Sequence, residues 1–393
     1  MTEILGYKRP SGPPGIRNQI VCIHTVECSS FVSQKIAATH PRVQSLGFPG
    51  CYGNEYASRL MIALATHANV GAVLLVSLGC EGTDPRGMAD AIRATGRPVE
   101  ILRIQEAGGT EPSITLGHEI VSRMLKELDD TPRVAMSVSD LVVGTQCGGS
   151  DATSGISANP SVGYAFDLLV EAGATVLISE TLEMLGCSDI VARRAVNSKA
   201  AEELRRAVEK AESFSRQAGQ FSIETGNYQG GLTTIEEKSV GAFAKCGRRP
   251  ISGVIKVAQK PPAKGLYVLD TVPDPTPFPF GYSNPNDSAD TLDLISCGAH
   301  VIVFTTGRGS VIGSVISPLL KVCGNPATYE RMKGDMDVDA GRIIAGDATA
   351  SEVGREILEK VLEVAGGKQT KAELLGHQEY CISYKYQDTC GYS

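Results

Sequence analysis

No tryptophan occurs in the 393 residues, aromatic residues make up only 5%, and no apolar run approaches the ~18–20 residues that a membrane-spanning helix needs. The opening MTEILGYKRPSGPPG lacks an apolar h-region, so no secretory leader is expected and the chain reads as cytoplasmic, with no membrane partner. Formal net charge is −7, from 44 acidic and 37 basic residues, and no basic block interleaved with aromatics is present, which argues against nucleic acid as a partner. There is no G-x-x-x-x-G-K-[ST] loop, no G-x-G-x-x-G after a first strand and no G-x-S-x-G elbow, so nucleotide chemistry is disfavoured. HxH, HExxH and CxxC spacings are missing too, and no local motif dictates a metal. Eleven cysteines in a cytoplasmic chain are not a disulfide framework; most should be small buried hydrophobes.

What is present is ordinary for a globular chain, 42% apolar and 21% charged, and glycine reaches 43. The length suggests two domains. Apolar, β-branched runs at 20–26, 71–78 and 99–104 read as buried parallel strands, and they alternate with helices starting near Phe31, ending near His67 and spanning 110–128. The polar break Asp129, Asp130, Thr131, Pro132 then divides a first domain, 1–130, from a larger second one, 131–393. The second has strands expected at 133–137, 141–144, 174–178, 267–270 and 301–304, and helices at 162–172, 195–219 and 350–365. The predicted class is α/β, with two doubly wound, mainly parallel-sheet (Rossmann-like) domains. A Pro/Asn/Asp-rich loop over 271–288 is either a lid or a plain insertion, and the tail KYQDTCGYS is expected to be flexible.

Ligands in open α/β sheets bind at the carboxyl ends of strands, so the loops there carry the candidates. The stretch LVVGTQCGGSDATSGISANP delivers Cys147, Gly148, Gly149, Ser150 and Asp151 from the end of an apolar strand, and paired glycines let backbone amides approach an anion. Read more plainly, it is a Gly/Ser/Asp-rich connection with a buried thiol. Cys51, Cys80 and Cys147 each follow a strand in a Gly-flanked loop (PGCYG, LGCEG, QCGGS). If those loops converge, three thiolates with one open position suit iron or an iron–sulfur cluster better than structural zinc. Arg308, after Thr305, Thr306 and Gly307, is suited to hold a carboxylate bidentately. Glu236, Glu237 and Lys238 behind a Gly pair offer a base and its orienter, or only a solvated first turn; Glu180 after VLIS is a further acid–base candidate.

Several long motifs together resemble the altronate/galactarate dehydratase family nearly end to end: GYKRPSGPPGIRN, SLGCEG, LVVGTQCGGSDATSGISANPSVG, LISETLEMLG, GGLTTIEEKSVGAFAKCG, FTTGRGS and CGNPATYERMKGDMDVDAG. The resemblance implies a metal-dependent hydro-lyase, typically with Fe(2+), that eliminates water from a sugar acid to give a 2-keto-3-deoxy acid through an enol. Mn(2+), or an iron–sulfur cluster on the three cysteines, is the alternative cofactor. Similar proteins carry an N-terminal antifreeze-like (SAF) domain that this sequence does not show, so a separate small SAF subunit is the expected partner, within an oligomer. The opening loop departs from the family pattern by one basic group but keeps Arg17 and Asn18 as substrate contacts. The segment ahead of Cys51 lacks the family's usual histidine.

In the implied mechanism a metal on Cys51, Cys80 and Cys147 binds the 2-hydroxy acid. Arg308, Thr305, Thr306 and Gly307, with Gly148, Gly149 and Ser150, hold its other oxygens. Glu237 or Lys238 takes the α proton, and Asp151 or Glu180 protonates the leaving hydroxyl. Sulfolactate sulfo-lyase large subunits share the superfamily and give a carbon–sulfur lyase as the alternative. A non-catalytic sugar-acid-binding subunit is the alternative of another class.

Overall fold

The computed structural model describes residues 4–217, 219, 223–272 and 286–382. A two-stranded antiparallel ribbon pairs β1 (Ile4–Tyr7) with β6 (Arg133–Met136), so the chain's start lies against the beginning of its second half. Between them lies a four-stranded parallel sheet of β2 (Gln19–His24), β3 (Val43–Gly47), β4 (Val70–Ser77) and β5 (Val99–Arg103), in the order β3-β2-β4-β5. β4 reads VGAVLLVS and is buried at every residue, as a central parallel strand covered on both faces must be. One face packs the helices Ser30–Ala37 and Thr110–Asp129 through Ile36, Ile120 and Met124; the other packs Glu55–Ala65 and Pro85–Arg93 through Leu60, Leu64 and Ile92.

The second lobe is a seven-stranded sheet in which every pairing is parallel: β13 (Val338–Asp339), β12 (Leu319–Cys323), β11 (Val301–Thr306), β7 (Val142–Cys147), β8 (Thr175–Ile178), β10 (Gly265–Asp270) and β9 (Ile251–Lys256), in that spatial order. From β7 the chain first runs one way, through β8, β9 and β10, and then returns to lay β11 on the other side of β7. The crevice above the carboxyl ends of β7 and β11 is therefore the topological switch point, where such sheets place ligands. The helices Ala158–Glu171 and Ala350–Ala365 cover one face; Asp287–Ser296 covers the other and joins the core of the first lobe. There the Tyr56 hydroxyl donates to Asp293 at 2.7 Å.

The doubly wound α/β class is as predicted. The expected 271–288 loop is cut short, since a helix starts at Asp287, and its centre lies outside the described residues, as does the tail from 383 onward. No helix among the described residues is long and apolar enough to cross a membrane.

At the amino edges of the sheets the lobes are joined by neutral histidines. His67 and His300 pack with ring centroids 5.9 Å apart, and Asn69 Nδ2 donates to the His300 carbonyl at 3.2 Å. Burial lowers both rings, His300 from 6.5 to about 4. A histidine depressed in the folded state keeps its full contribution above its unfolded pKa and loses it as pH falls toward the folded value. Stability should thus fall between pH 6.5 and about 4, with His300 alone contributing on the order of 3 kcal/mol. Urea unfolding at pH 7 and pH 4.5 measures it, and His300→Gln should flatten the difference.

Candidate functional site

Five segments converge at the carboxyl ends of β7 and β8, beside the switch point. β7 ends in Cys147, β8 is followed by Glu180 and Glu183, and the helix Ile235–Phe243, with the turn Ala244–Cys246 after it, supplies Lys238 and Lys245; Asp287 opens the helix Asp287–Ser296. Thr234 caps the first of these helices, its hydroxyl accepting from the Glu237 amide at 3.1 Å. Lys238 lies in the α-helix and Lys245 in the 3-10 turn that follows it, the first paired with Glu183 and the second with Glu180.

Cys147, Glu180 and Glu183 bring one ligand atom each within 4.8 Å of one another. The Cys147 thiol lies 3.5 Å from Glu180 Oε2, and the Ser150 hydroxyl 3.6 Å from the sulfur. Lys245 and Glu180, both with fully buried side chains, form an ion pair. Lys238 Nζ stands 2.8 Å from Glu183 Oε2, an ion pair at the pocket wall. A pocket of about 460 Å³ opens beside these groups, lined by Cys147, Ser150, Asp151, Asn159, Glu183, Glu237 and Lys238 and rimmed by the exposed Ile156 and Val240.

Burial and the charge of Glu180 push the Cys147 thiol up to about 12. Burial also raises Glu180, even with Lys245 opposite. Lys245 is disfavoured as a cation by the same burial, but its neighbours Cys147 and Glu180 outweigh that and raise it. Lys238, buried as well, is raised by Glu183. Asp287 is raised to about 7, first by burial and then by Glu183 and Glu180.

The expected trio of thiols does not assemble. Cys51 and Cys80 are exposed in loops of the four-stranded sheet that touch each other, the Gly82 amide donating to the Cys51 carbonyl at 2.8 Å, while Cys147 belongs to the other sheet and has carboxylates around it. Arg17 and Asn18 stand at the amino end of β2, away from the crevice. Arg17 pairs with Glu373 at 2.8 Å, and Asn18 accepts from buried Arg9 at 2.7 Å. Arg308 is exposed and holds the Gly226 carbonyl, which fastens the 225–231 segment over the loop rather than pointing its guanidinium into the pocket.

Asp151 is buried, but its oxygens are taken by the Thr153 amide at 2.9 Å, the Thr153 hydroxyl at 2.6 Å and Asn325 Nδ2 at 2.8 Å, so it shapes the loop. A Cβ on Gly307 would sit 2.0 Å from Asp151 Oδ1, which is why that position carries no side chain. Glu237 lines the pocket, with its carboxylate held by the Thr233 amide at 2.8 Å and the Thr233 hydroxyl at 2.7 Å. The Gly148 amide is spent on the Thr305 carbonyl, and the Gly149 carbonyl accepts from Gly307 and Arg308, which ties the loops after β7 and β11 together. Thr306 Oγ1 accepts from the Gly309 amide, whereas the buried Thr305 hydroxyl has no partner among the described residues. Glu183, Lys245 and Asp287 complete the site and are not singled out by sequence reasoning. Glu183 lies three residues after Glu180 and Lys245 seven after Lys238, helical spacings that mark the first two; nothing local marks Asp287.

A family model described as D-galactarate/Altronate dehydratase, C-terminal, matches residues 138–388, and one described as D-galactarate dehydratase/Altronate hydrolase, second domain, matches 6–129. A (2R)-sulfolactate sulfo-lyase subunit beta of Chromohalobacter salexigens is 32% identical over 397 residues, 98% of this chain and 97% of its own. A galactarate dehydratase (L-threo-forming) of Escherichia coli is 33% identical over 308 residues, covering 76% of this chain and 57% of its own. An altronate dehydratase of Bacillus subtilis is 28% identical over 96% of this chain and 76% of its own. With both models matched in succession and a relative aligned over nearly its whole length, the chain belongs to the D-galactarate/altronate dehydratase family.

Proposed function

We propose that the chain is a lyase that removes the proton α to a carboxylate of a sugar acid and expels the β hydroxyl as water, giving a 2-keto-3-deoxy acid. The observation that carries this is the Cys147–Glu180–Glu183 group, its first two members buried, beside two lysines at the carboxyl ends of β7 and β8. The family's dehydratase relatives support water as the leaving group. The sulfo-lyase relative, similar over the full length of both chains, supports a second reading in which the leaving group is sulfite. Its designation as subunit beta supports a further subunit as partner.

The donor set fits a divalent cation such as Fe(2+) or Mn(2+): one sulfur and two carboxylates, one ligand atom each within 4.8 Å of the others. When bound, such a cation would neutralise the two carboxylates, polarise the acid group of the substrate and weaken the hold of Lys238 on its proton. Lys245, through its ion pair, fixes the orientation of Glu180. Lys238 Nζ, on the pocket wall and held as the ammonium by Glu183, first releases its own proton to solvent and as the neutral amine then takes the α proton. Ser150 and Asn159 line the side where the hydroxyls of the acid would lie, and the apolar rim of Ile156 and Val240 limits water at the mouth.

The test is metal analysis of anaerobically purified protein, with keto-acid and sulfite assays on galactarate, altronate and (2R)-sulfolactate. Near-stoichiometric metal in the wild type is expected, falling below about a tenth in Cys147→Ser. Metal retained in that variant would move the ligand set elsewhere, and a metal-free protein inert to every acid would sink the lyase reading.

A further inference from the structure

The carboxyl edge of the four-stranded sheet carries a second constellation. β2 pairs with β3 on one side and β4 on the other, and one row runs through all three strands, His24 pairing with both Gly47 and Val76. Cys28, Cys51 and Cys80 each lie four residues beyond that row. Adjacent strands stand about 4.8 Å apart, so three neighbouring strand ends deliver a cysteine at matching positions. In the order β3-β2-β4-β5 the chain goes from β2 to β3 and returns to lay β4 on the other side, so β2 and β4 flank this sheet's own switch point. The loops touch: the Glu27 amide donates to the Pro49 carbonyl at 3.3 Å and the Gly82 amide to the Cys51 carbonyl at 2.8 Å. Glu81 fastens the Cys80 loop to the sheet, its carboxylate accepting from the Thr25 hydroxyl at 2.5 Å, the Ser77 hydroxyl at 2.6 Å and the Gly79 amide at 2.8 Å. All three thiols are exposed and unbridged.

We propose that Cys28, Cys51 and Cys80 hold an iron–sulfur cluster in the first lobe, a second metal site separate from the Cys147 group. Cys28, just ahead of the helix Ser30–Ala37, supplies the third thiol that Cys147 does not. Spacing selects a cluster over a single ion. Zinc–sulfur bonds of about 2.3 Å bring the sulfurs of a tetrahedral site to about 3.8 Å from one another. Among the described residues only Cys147, Glu180 and Glu183 gather three ligand atoms within 4.8 Å, so the three thiols stand wider apart than one cation accepts. A cluster bridges that gap because each cysteine binds a different iron. The helices Ser30–Ala37, Glu55–Ala65 and Pro85–Arg93 begin shortly after the three cysteines, and helix N-termini favour the negative charge that three thiolates and the sulfides bring. Three cysteines leave one iron of a four-iron cluster without a protein thiolate.

The probe is sulfide with equal amounts of ferrous and ferric iron, added anaerobically to the full chain. Two irons of each kind and four sulfides make a dicationic core, and the three thiols release their protons to solvent on binding it. Wild type is expected to take up about four irons and four acid-labile sulfides per chain and to gain a broad visible absorption. Cys28→Ser, Cys51→Ser and Cys80→Ser should each keep about a third of that sulfide or less. More than that in any one of them would remove that ligand and overturn the trio, as would a wild type that takes up no sulfide. Urea midpoints check the fold, and where a serine variant is destabilised, Cys28→Ala, Cys51→Ala or Cys80→Ala at that position is read instead. Cys147→Ser should keep the sulfide; its loss there would place the cluster in the other lobe and overturn the proposal. Iron in excess of sulfide counts the single cation of the Cys147 group, the metal expected to vanish in Cys147→Ser, so either site can fail without the other.

Discussion

Lys238→Met should lower kcat for sugar-acid elimination by about 10³-fold, with substrate and metal binding kept within a few-fold. Methionine preserves the length and packing of the buried lysine stem but removes the amine that stands 2.8 Å from Glu183 and lines the pocket. The charge balance also changes, since Glu183 loses its counter-ion, so metal content has to be measured alongside the rate. A variant with bound metal and a rate within tenfold of wild type would remove Lys238 as the base. Exchange of the α hydrogen with solvent deuterium offers a second view: it should cease in Lys238→Met.

Lys245→Met is expected to cost stability on a larger scale than any surface substitution. Both side chains of the Lys245–Glu180 pair are fully buried, and removing one partner leaves a charge with neither water nor counter-ion. Losses of about 3–5 kcal/mol follow such cuts. The double variant Lys245→Met, Glu180→Gln should recover most of that loss while remaining inactive, because the apolar and amide replacements no longer strand a charge. Urea unfolding of the two single variants and the double one gives the coupling directly. A double variant no more stable than its weaker parent would mean that packing, not the stranded charge, sets the cost.

Most of the architecture was legible in sequence because its strands are long, β-branched and covered on both faces; VGAVLLVS needs no context. The strands that escaped are the poorly marked ones. ISGVIK lies at the sheet edge, follows Pro250, carries Gly253 and alternates in burial, and LLKVC is five residues behind Pro318 with a buried lysine inside it. For the site, Cys147, Glu180 and Lys238 could be picked out because each follows a strand or opens a helix after a glycine loop. The misleading signal was repetition. PGCYG and LGCEG look like QCGGS, yet which sheet a strand joins is decided by pairing across dozens of residues, and that assigns Cys51 and Cys80 to the other lobe. Asp287 sits in the acid-rich stretch NPNDSADTLD, where only the approach of Gly148 distinguishes it from its neighbours.

The order in which the chain supplies its charges has a consequence during synthesis. Cys147, Glu180 and Glu183 come from adjoining strands joined by a single helix and can meet as soon as β7 and β8 pair, whereas Lys238 and Lys245 emerge from the ribosome more than 50 residues later. A nascent chain folding from its N-terminus therefore presents a thiol and two carboxylates before their lysine partners exist, and these groups stay solvated until the helix carrying Lys238 and the turn carrying Lys245 dock on them.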